Sequence, residues 1–596
     1  MRAICGPLGK AGALLGKFSL ILLLLFLALA FLTMGFPAQH VEAGTVIAAV
    51  PAISTIVPNA APRDSIVEIS GTDFGATQGT SYVTFGSTKA VVYPVWTSTY
   101  IAVKVPRVTP AGDQEQINVT VTTGEGTSNA VKFDVVQYGV GLAEGYTGDN
   151  FQEYLCIGNM QNVAVDASIV FLYSDGEVGG TEVTVPSNSR VTVDVNEEAG
   201  AGFEVSVIVF SDLQLVVERP MYFNYNGRWT GGHDVIATPY VSKLWFFAEG
   251  YTGAGFDEWI CVLNPNETAT ANLTFHFQTK SSGEIDKTGS VPAASRESFK
   301  VNELLGSNQE CSLILESDQF VVAERPMYFD YEGKGAHHWE GGHCVMGLPW
   351  PSTEYFFAEG CTRDGFEEWL TLQNPNAEPI SVNVTYQLGI GQGNPIQKTY
   401  NVPAESRSTI YVADDVGLER DVSIKATSDD YFLAERPMYF RYTGYGAGYE
   451  GGHCVIGAGS TSSDWFFAEG YTGQGFQEWL CLQNPGDEDS VVDIYYLGKT
   501  GVAAVKQVTV SARSRRTLRV NDEAGANLEL SCHIVVVAGS QIVAERPMYF
   551  NFRGWDGGHD VIGYYPESDL FAASSNEATG KSQAALLNDL SWEWLR

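Results

Sequence analysis

The sequence predicts an all-β protein of five tandem β-sandwich domains behind an N-terminal signal or anchor helix. Short runs of alternating apolar and polar residues lie between Gly, Pro, Asn and Asp turns, and beyond the N-terminus no strong helical period competes with them. One block recurs four times, with leading glutamates Glu144, Glu249, Glu359 and Glu469 spaced by 105 to 110 residues. Because a repeat of this length exceeds solenoid units of about 20–50 residues, each block is expected to be a domain.

The first element is a targeting segment at residues 1–43. Lys10 and Lys17 precede an apolar run at 18–36, and Ala43 supplies a small residue at a cleavage point before Gly44. We favour a cleaved signal peptide, although the run is also long enough to span a bilayer uncleaved. Either alternative exports the rest of the chain, so we expect a secreted or cell-surface protein, membrane-anchored if the segment stays.

The exported part is strongly acidic. The chain has a formal net charge of −35, and the targeting segment contributes three basic residues and one acidic residue. Such a charge disfavours nucleic acid and anionic lipid as partners, which leaves membrane contact to the N-terminal segment. Acidic turns such as NDEAGAN could hold calcium, but the sequence contains neither an EF-hand loop nor a calcium-binding nonapeptide repeat. We therefore expect no cofactor.

The second element, residues 45–136, has the pattern of a small sandwich. Its pieces include ISTIVPNAAPRDSIVEISGTDFG, YVTFGSTKAVV, YIAVKVP and INVTVTTGEGTSNAVKFDV. The GTDFG turn at 71–75, Pro58, Phe85-Gly86, Pro106 and the TTGEGTSNAVKF ending resemble the IPT/TIG family of immunoglobulin-like domains. This resemblance implies a seven-stranded β-sandwich of a kind common in extracellular binding proteins, and it implies no enzyme activity.

The four repeats follow, and we place them at 138–241, 242–352, 353–462 and 463–566, before a Ser/Ala-rich tail at 567–596. Each opens on an AEG and EW/EY block, continues with a Ser-Arg block, and closes on ERPMYF and GGH. Six or seven strand-like runs per repeat indicate an antiparallel sandwich, and the length of each repeat suggests a string of independently folding domains. The block pattern resembles an uncharacterised repeat of large exported bacterial proteins, which implies no activity.

The cysteines predict disulfides, because export permits them. Cys261 and Cys311 in repeat 2, and Cys481 and Cys532 in repeat 4, have nearly equal spacing, and repeat 3 lacks both positions. We therefore predict the bridges Cys261–Cys311 and Cys481–Cys532. Cys361 could pair with Cys344 or Cys454, and Cys156 has no evident partner.

Acidic residues and an arginine recur in every repeat, and they predict a buried structural clamp. The alternatives are a carboxylate–histidine metal site or paired acids for glycoside hydrolysis. We favour the clamp, with no catalytic or metal residue, because charges inside sandwiches are normally paired. For Arg325 we predict Glu249 or Glu258 as partner, and Pro326 suggests an edge strand or a bulge. The predicted clamp residues are Glu144, Glu153, Arg219, Glu249, Glu258, Arg325, Glu359, Glu368, Arg436, Glu469, Glu478 and Arg546.

A second recurring set could bind a ligand. Aromatic residues that stack on sugar rings stand four residues before the GGH histidine, although core packing is the alternative. The set comprises Trp229, His233, Trp339, His343, Tyr449, His453, Trp555 and His559. We conclude that the sequence favours a non-enzymatic surface or secreted protein for adhesion or scaffolding, with a carbohydrate or protein ligand. A secreted polysaccharide hydrolase and a purely structural envelope stalk are the alternatives.

Overall fold

The computed structural model of the chain describes residues 49–107, 115–280, 283–334 and 337–565. The predicted targeting segment at 1–43 and the tail at 567–596 lie outside these residues. Strand accounts for 63% of the structure and helix for 4%, as the alternating sequence pattern predicts. No helix in the described ranges has the length and apolar character needed to cross a membrane.

The N-terminal domain is a sandwich of two sheets, ordered β1-β3-β7-β6 and β2-β10-β8-β4-β5, with β9 beside β8. Its core lies between the sheets, where the rings of Phe85 and Phe133 meet edge to face at 5.4 Å. Phe74, from the GTDFG turn, is fully buried. The strands are β1 (Ala52–Val57), β2 (Ala60–Pro62), β3 (Ile66–Thr72), β4 (Tyr82–Phe85), β5 (Thr88–Lys89), β6 (Val95–Trp96), β7 (Tyr100–Lys104), β8 (Glu115–Thr123), β9 (Gly126–Thr127) and β10 (Val131–Val136).

Repeat 1 shows the architecture that all four repeats share. A first sheet, ordered β11-β16-β13-β14, packs on a second sheet, ordered β15-β12-β18-β19, with β17 also paired to β12. All pairings within the repeat are antiparallel. The elements are β11 (Tyr138–Leu142), β12 (Phe151–Asn159), β13 (Val165–Tyr173), β14 (Val178–Val185), β15 (Ser189–Asp194), α1 (Val195–Glu198), β16 (Val205–Ser211), β17 (Val216–Glu218), β18 (Met221–Tyr225) and β19 (Trp229–His233).

Repeats 2 and 3 differ in one respect, because a single long strand runs through both sheets, Cys311–Glu332 in repeat 2 and Val422–Gly444 in repeat 3. The elements of repeat 2 are β20 (Ser242–Phe247), β21 (Phe256–Asn264), β22 (Ala271–Thr279), β23 (Gly283–Val291), β24 (Ser295–Lys300), α2 (Val301–Leu305), β25 (Cys311–Glu332) and β26 (His338–Met346). Those of repeat 3 are β27 (Ser352–Phe357), β28 (Phe366–Asn374), β29 (Ile380–Leu388), β30 (Ile396–Val402), β31 (Ser406–Tyr411), α3 (Val412–Val416), β32 (Val422–Gly444) and β33 (Ala447–Ile456).

In repeat 4, as in repeat 1, three shorter strands replace the single long strand of repeats 2 and 3. Its elements are β34 (Asp464–Phe467), β35 (Phe476–Asn484), β36 (Ser490–Gly498), β37 (Gly501–Val510), β38 (Ser514–Arg519), α4 (Val520–Glu523), β39 (Ser531–Ala538), β40 (Val543–Glu545), β41 (Met548–Phe552) and β42 (Trp555–His559). Each repeat has its own apolar core; in repeat 3 it includes Leu370, Val382, Ile424 and Phe432.

The four repeats do not form a string, because they close into a ring. The first sheet of each repeat packs against the fifth strand of the next: β13 contacts β24, β22 contacts β31, and β29 contacts β38. The same contact joins β36 of repeat 4 to β15 of repeat 1. A head-to-tail contact that recurs at every junction and returns to its start defines a closed ring with approximate fourfold symmetry. We call the junction between repeats 4 and 1 the closing junction.

The GGH strands β19, β26, β33 and β42 meet at the centre of this ring. Each is the last strand of its sheet, and each contacts the corresponding strands of both neighbouring repeats. Glycine makes this approach possible. A Cβ on Gly341 would lie 3.3 Å from the Cα of Gly451, and one on Gly557 would lie 3.0 Å from the Cα of Gly231. The ring therefore also covers the edge strands that isolated repeats would expose.

Candidate functional site

The ERP motif forms the clamp between neighbouring repeats. Arg325 is fully buried, and its Nη2 lies 2.9 Å from Oε2 of Glu435, the ERP glutamate of the next repeat. The predicted partner was wrong: Glu249 offers Arg325 its backbone carbonyl oxygen. The carboxylate of Glu249 instead pairs with Arg407 at 2.7 Å. Spacing within one repeat could not reveal a partner that belongs to the next.

The same clamp recurs at the other three junctions. Arg219 contacts Glu324 at 2.9 Å, Arg436 contacts Glu545 at 2.9 Å, and Arg546 contacts Glu218 at 2.9 Å. The last pair spans the closing junction. In these repeats the predicted AEG glutamate does pair with its own arginine, as Glu144 with Arg219, Glu359 with Arg436, and Glu469 with Arg546 at 3.0–3.2 Å.

Each ERP motif therefore holds two neighbours at once. Glu324 accepts hydrogen bonds from the preceding repeat, from Arg219 and from the backbone N–H of Ala143, whereas Arg325 reaches the following repeat. Alternation along the strand sends consecutive side chains to opposite faces. Pro326 lies neither on an edge strand nor at a bulge. The ladder between β21 and β25 is interrupted at Arg325-Pro326 and resumes in unchanged register, so the missing N–H of proline breaks no pairing there.

A second arginine in each repeat reinforces the junctions, and the sequence analysis did not single it out. Arg190 donates to the carbonyl oxygens of Gly470 and Leu530 across the closing junction, at 3.0 and 2.6 Å. Arg407 and Arg515 make the equivalent pair of bonds to the preceding repeat, and Arg296 pairs with Glu204 of repeat 1 at 2.6 Å. The recurring Ser-Arg of the middle block was the available signal.

The predicted EW/EY glutamates are buried beside the clamp and form no ion pair with it among the described residues. Glu153 and Glu258 accept hydrogen bonds from the backbone N–H groups of Tyr146 and Tyr251, at 3.0 and 2.9 Å. Burial raises the pKa of Glu258 to about 7. It raises the pKa of the three equivalent residues, Glu153, Glu368 and Glu478, to about 8.

The four GGH histidines lie inside the junctions, so the prediction that they bind an external ligand was wrong. His233, His343, His453 and His559 are each 2% exposed. Burial lowers the pKa of every one, that of His559 to about 3, so the rings are neutral. Each ring packs on the phenylalanine of its own ERPMYF block, as His233 does on Phe223 with centroids 5.8 Å apart. Neither ring nitrogen of these histidines has a hydrogen-bond partner in the described part of the chain.

The aromatic members of the predicted ligand set divide into two groups. Trp339 and Tyr449 are buried, so they are core residues and not exposed binding residues. Trp229 and Trp555 are half-buried. Each lies at the end of the hairpin formed by the last two strands of its repeat. There Trp229 stacks on Tyr225, with ring centroids 5.7 Å apart, and Trp555 packs at a tilt against Phe552, with centroids 6.2 Å apart.

Further aromatic residues gather around these hairpin ends. The residue after each EW/EY glutamate is half-buried, and the hairpin of the preceding repeat reaches it. The ring centroids of Tyr445 and Trp479 lie 5.9 Å apart, and those of Phe552 and Tyr154 lie 6.4 Å apart. Nζ of Lys334 lies 5.1 Å from the ring centroid of Trp369. In a closed ring, equivalent positions lie on the same side. We call this side the hairpin rim, defined by Tyr154, Trp229, Trp259, Trp369, Tyr445, Trp479 and Trp555.

The predicted disulfides are not formed in the structure, where all eight described cysteines are free and buried. The members of each predicted pair face different surroundings. The Cys261 sulfur lies 3.5 Å from Ser298 Oγ, at the junction with repeat 1. Cys311 lies at the start of β25, and its sulfur is near the Gly250 backbone. The Cys481 sulfur accepts a hydrogen bond from Nη2 of Arg515 at 3.2 Å. The shared spacing therefore reflects the repeat itself.

The positions of the recurring glutamates can be compared with those that glycoside hydrolysis requires. Glycoside hydrolysis requires two carboxyl groups that flank a substrate. The recurring glutamates and histidines predicted from the sequence are instead buried inside the junctions, where arginines and backbone groups surround them. Burial and these partners give the recurring glutamates and histidines the properties of an assembly interface.

Two family models match the chain. The IPT/TIG domain matches residues 51–135, and a family of unknown function, DUF5719, matches residues 437–544. The second match starts directly after Arg436 and stops directly before Glu545. It therefore covers about one repeat length, but it runs from one ERP motif to the next and not between the repeat boundaries used here. No curated protein matches the sequence.

Similar solved structures include protein 1070 of Thermotoga maritima (20% identity, 18% of this chain and 93% of that chain, TM-score 0.16). SGBP-B from a complex xyloglucan utilization locus of Bacteroides uniformis is 11% identical over 50% of this chain and 74% of that chain, with a TM-score of 0.14. SGBP-B of a Bacteroides ovatus mixed-linkage glucan utilization locus, in complex with a heptasaccharide, is 9% identical over 43% and 72%, with a TM-score of 0.15. Likenesses this low carry no argument about this chain. The protein thus contains an IPT/TIG domain, followed by repeats among which residues 437–544 match a family of unknown function.

Proposed function

We propose that the protein is an exported, non-catalytic binding protein whose ring of repeats presents the hairpin rim to a carbohydrate ligand. The observation that carries the proposal is the collection of half-buried aromatic side chains at one side of the ring. All four repeats contribute to it, and Tyr445 in the hairpin of repeat 3 is 64% exposed. Aromatic patches that are partly open to solvent mark interaction sites.

Aromatic rings suit a carbohydrate because they offer a flat apolar face together with a polar edge. Four related sites on one rim would raise the avidity for a repetitive polymer. The net charge of −35 repels acidic polysaccharides, which favours a neutral glycan.

The proposal is tested by measuring binding of the full chain to a panel of soluble and insoluble neutral polysaccharides. Trp229→Ala and Trp555→Ala should each weaken binding by roughly tenfold, the equivalent of about 1.4 kcal/mol. Tyr431→Ala is the matched control, because Tyr431 is an exposed aromatic residue (42%) in the first sheet of repeat 3, outside the hairpin rim.

Two results would contradict the carbohydrate proposal. One is that the chain binds no neutral polysaccharide. The other is that the rim variants bind as tightly as the control. In the first case, capture of an envelope protein that the rim variants abolish would move the function to a protein ligand. Loss of both kinds of binding would leave a purely structural role.

A further inference from the structure

The four clamps differ in the residue that follows the GGH histidine. It is a cysteine in repeats 2 and 3, Cys344 and Cys454, and an aspartate in repeats 1 and 4, Asp234 and Asp560. Each cysteine donates to the ERP glutamate of its own repeat, at 3.3 Å for both pairs. The aspartates instead contact the clamp arginine of the preceding repeat. Two junctions therefore contain a buried carboxylate that the other two lack.

The closing junction places three carboxylates around one guanidinium. Arg546 contacts Glu218 at 2.9 Å, Glu469 at 3.0 Å and Asp234 at 2.5 Å, and all of these side chains are buried. The junction between repeats 3 and 4 repeats this arrangement around Arg436, with Glu545, Glu359 and Asp560 at 2.9, 3.2 and 2.6 Å. At the junction between repeats 1 and 2, Arg219 has two such partners among the described residues, Glu324 and Glu144.

The extra negative charge must be neutralised, since an uncompensated buried charge is costly. A proton shared between neighbouring carboxyl groups, such as Glu218 and Asp234, is one solution. A bound cation is the other, and the surrounding side chains supply its ligands. A ring nitrogen of His559 and one oxygen each from Asp234 and Glu469 all lie within 4.8 Å of one another. His453, Glu359 and Asp560 form the equivalent group.

The buried histidines of these two groups have ring nitrogens that are free to bind a metal ion. His453 and His559 are 2% exposed and face these carboxylates, and among the described residues neither ring nitrogen of either histidine has a hydrogen-bond partner. Oδ1 of Asp234 and of Asp560 also lacks a donor there, while Oδ2 of each accepts from the clamp arginine. Neutral imidazole with two carboxylate oxygens is a ligand set that zinc accepts, with a fourth position for water.

We propose that the two aspartate-bearing junctions, around Asp234 and Asp560, each bind a zinc ion between repeats. The ion would take one nitrogen and two carboxylate oxygens as ligands. The histidine and the AEG glutamate of one repeat would thereby be joined to the aspartate of the next. Both sites flank repeat 4, so the metal would fasten the repeat that closes the ring. Glu144, His233 and Cys344 form a third such group, at the junction between repeats 1 and 2. No ion is expected there, because the Cys344 sulfur already donates to Glu324 and this junction lacks the additional aspartate.

The test measures zinc in the full chain after unfolding with chelator and refolding with zinc chloride. Mass spectrometry of the dialysed protein should find two zinc ions per chain. Asp234→Asn and Asp560→Asn should each remove one ion, and the double variant should bind none. Cys344→Ser is the matched control and should keep both. Cobalt in place of zinc should give visible absorption that each aspartate variant halves.

His559→Leu and His453→Leu provide a second route if an asparagine variant fails to fold. These histidines have no hydrogen bond to lose among the described residues, so the ring should form while one ion is lost per substitution. A wild-type chain that refolds with zinc chloride to the closed ring but retains no zinc would overturn the proposal. Unchanged zinc content in both the aspartate and the histidine variants would overturn it as well.

Discussion

At the residue scale, the charged pair in each ERP motif is an assembly device. Glu324 and Arg325 are adjacent in sequence but serve different junctions, because a strand sends consecutive side chains to opposite faces. The sequence indicated that these residues are buried and paired, since charges in an apolar run demand partners. It could not indicate which repeat supplies the partner. Glu435 lies 110 residues from Arg325, and nothing in the local pattern distinguishes it from Glu249.

Replacing Arg325 by alanine tests the clamp. The substitution leaves the carboxylate of Glu435 buried without its guanidinium, which should destabilise the protein by about 3–5 kcal/mol. Urea denaturation followed by circular dichroism measures the change. Arg513→Ala is the control, because Arg513 forms an exposed pair with Asp487 and should change stability by less than about 1 kcal/mol. Equal stability of the two variants would show that Arg325 is not a buried clamp.

At the element scale, alternation and turn residues predicted the strands and the sandwiches. They did not predict which strands of other repeats would pack against them. Pro326 suggested an edge or a bulge, yet β25 pairs on both sides and simply skips the proline in its ladder with β21. The GGH strand suggested a ligand-binding histidine near an aromatic residue. Its glycines instead allow four strands to meet at the centre of the ring. Glycine in a strand often marks close approach of another backbone, and here that backbone belongs to other repeats.

Gly341→Val tests this role of the central strands. A Cβ at Gly341 would lie 2.9 Å from Phe329 Cζ and 3.3 Å from Gly451 Cα, so the bulkier side chain cannot fit without movement of β33. We expect a loss of about 1–3 kcal/mol in the free energy of unfolding. Gly448→Ala, at an exposed position of β33 with no atom within 4 Å of the added Cβ, should cost little. A thermal melt of Gly341→Val that matches the control would argue against a packed centre.

At the scale of the whole molecule, the sequence predicted the number of repeats and their sandwich architecture but predicted a string. Ring closure depends on the angle between neighbouring repeats, which no single motif encodes. Repeats 1 and 4 lie at opposite ends of the repeat array. Closure explains why Arg546 and Glu218 join them by the same clamp that joins repeats adjacent in sequence. It also explains why the recurring acids and histidines are buried. Of the aromatic residues in the predicted ligand set, the two that stay partly exposed, Trp229 and Trp555, lie at the hairpin rim.

The most direct measurement is cross-linking across the closing junction. Thr192 Oγ1 of repeat 1 lies 3.3 Å from Glu529 Oε2 of repeat 4, and the described native cysteines are buried. With cysteines at both positions, dibromobimane should bridge the two thiols within one chain and become fluorescent, independently of protein concentration. Glu310 is the equivalent glutamate of repeat 2, so the pair Thr192→Cys and Glu310→Cys should not react. An unbridged Thr192/Glu529 pair, or bridging only between chains, would contradict the closed ring.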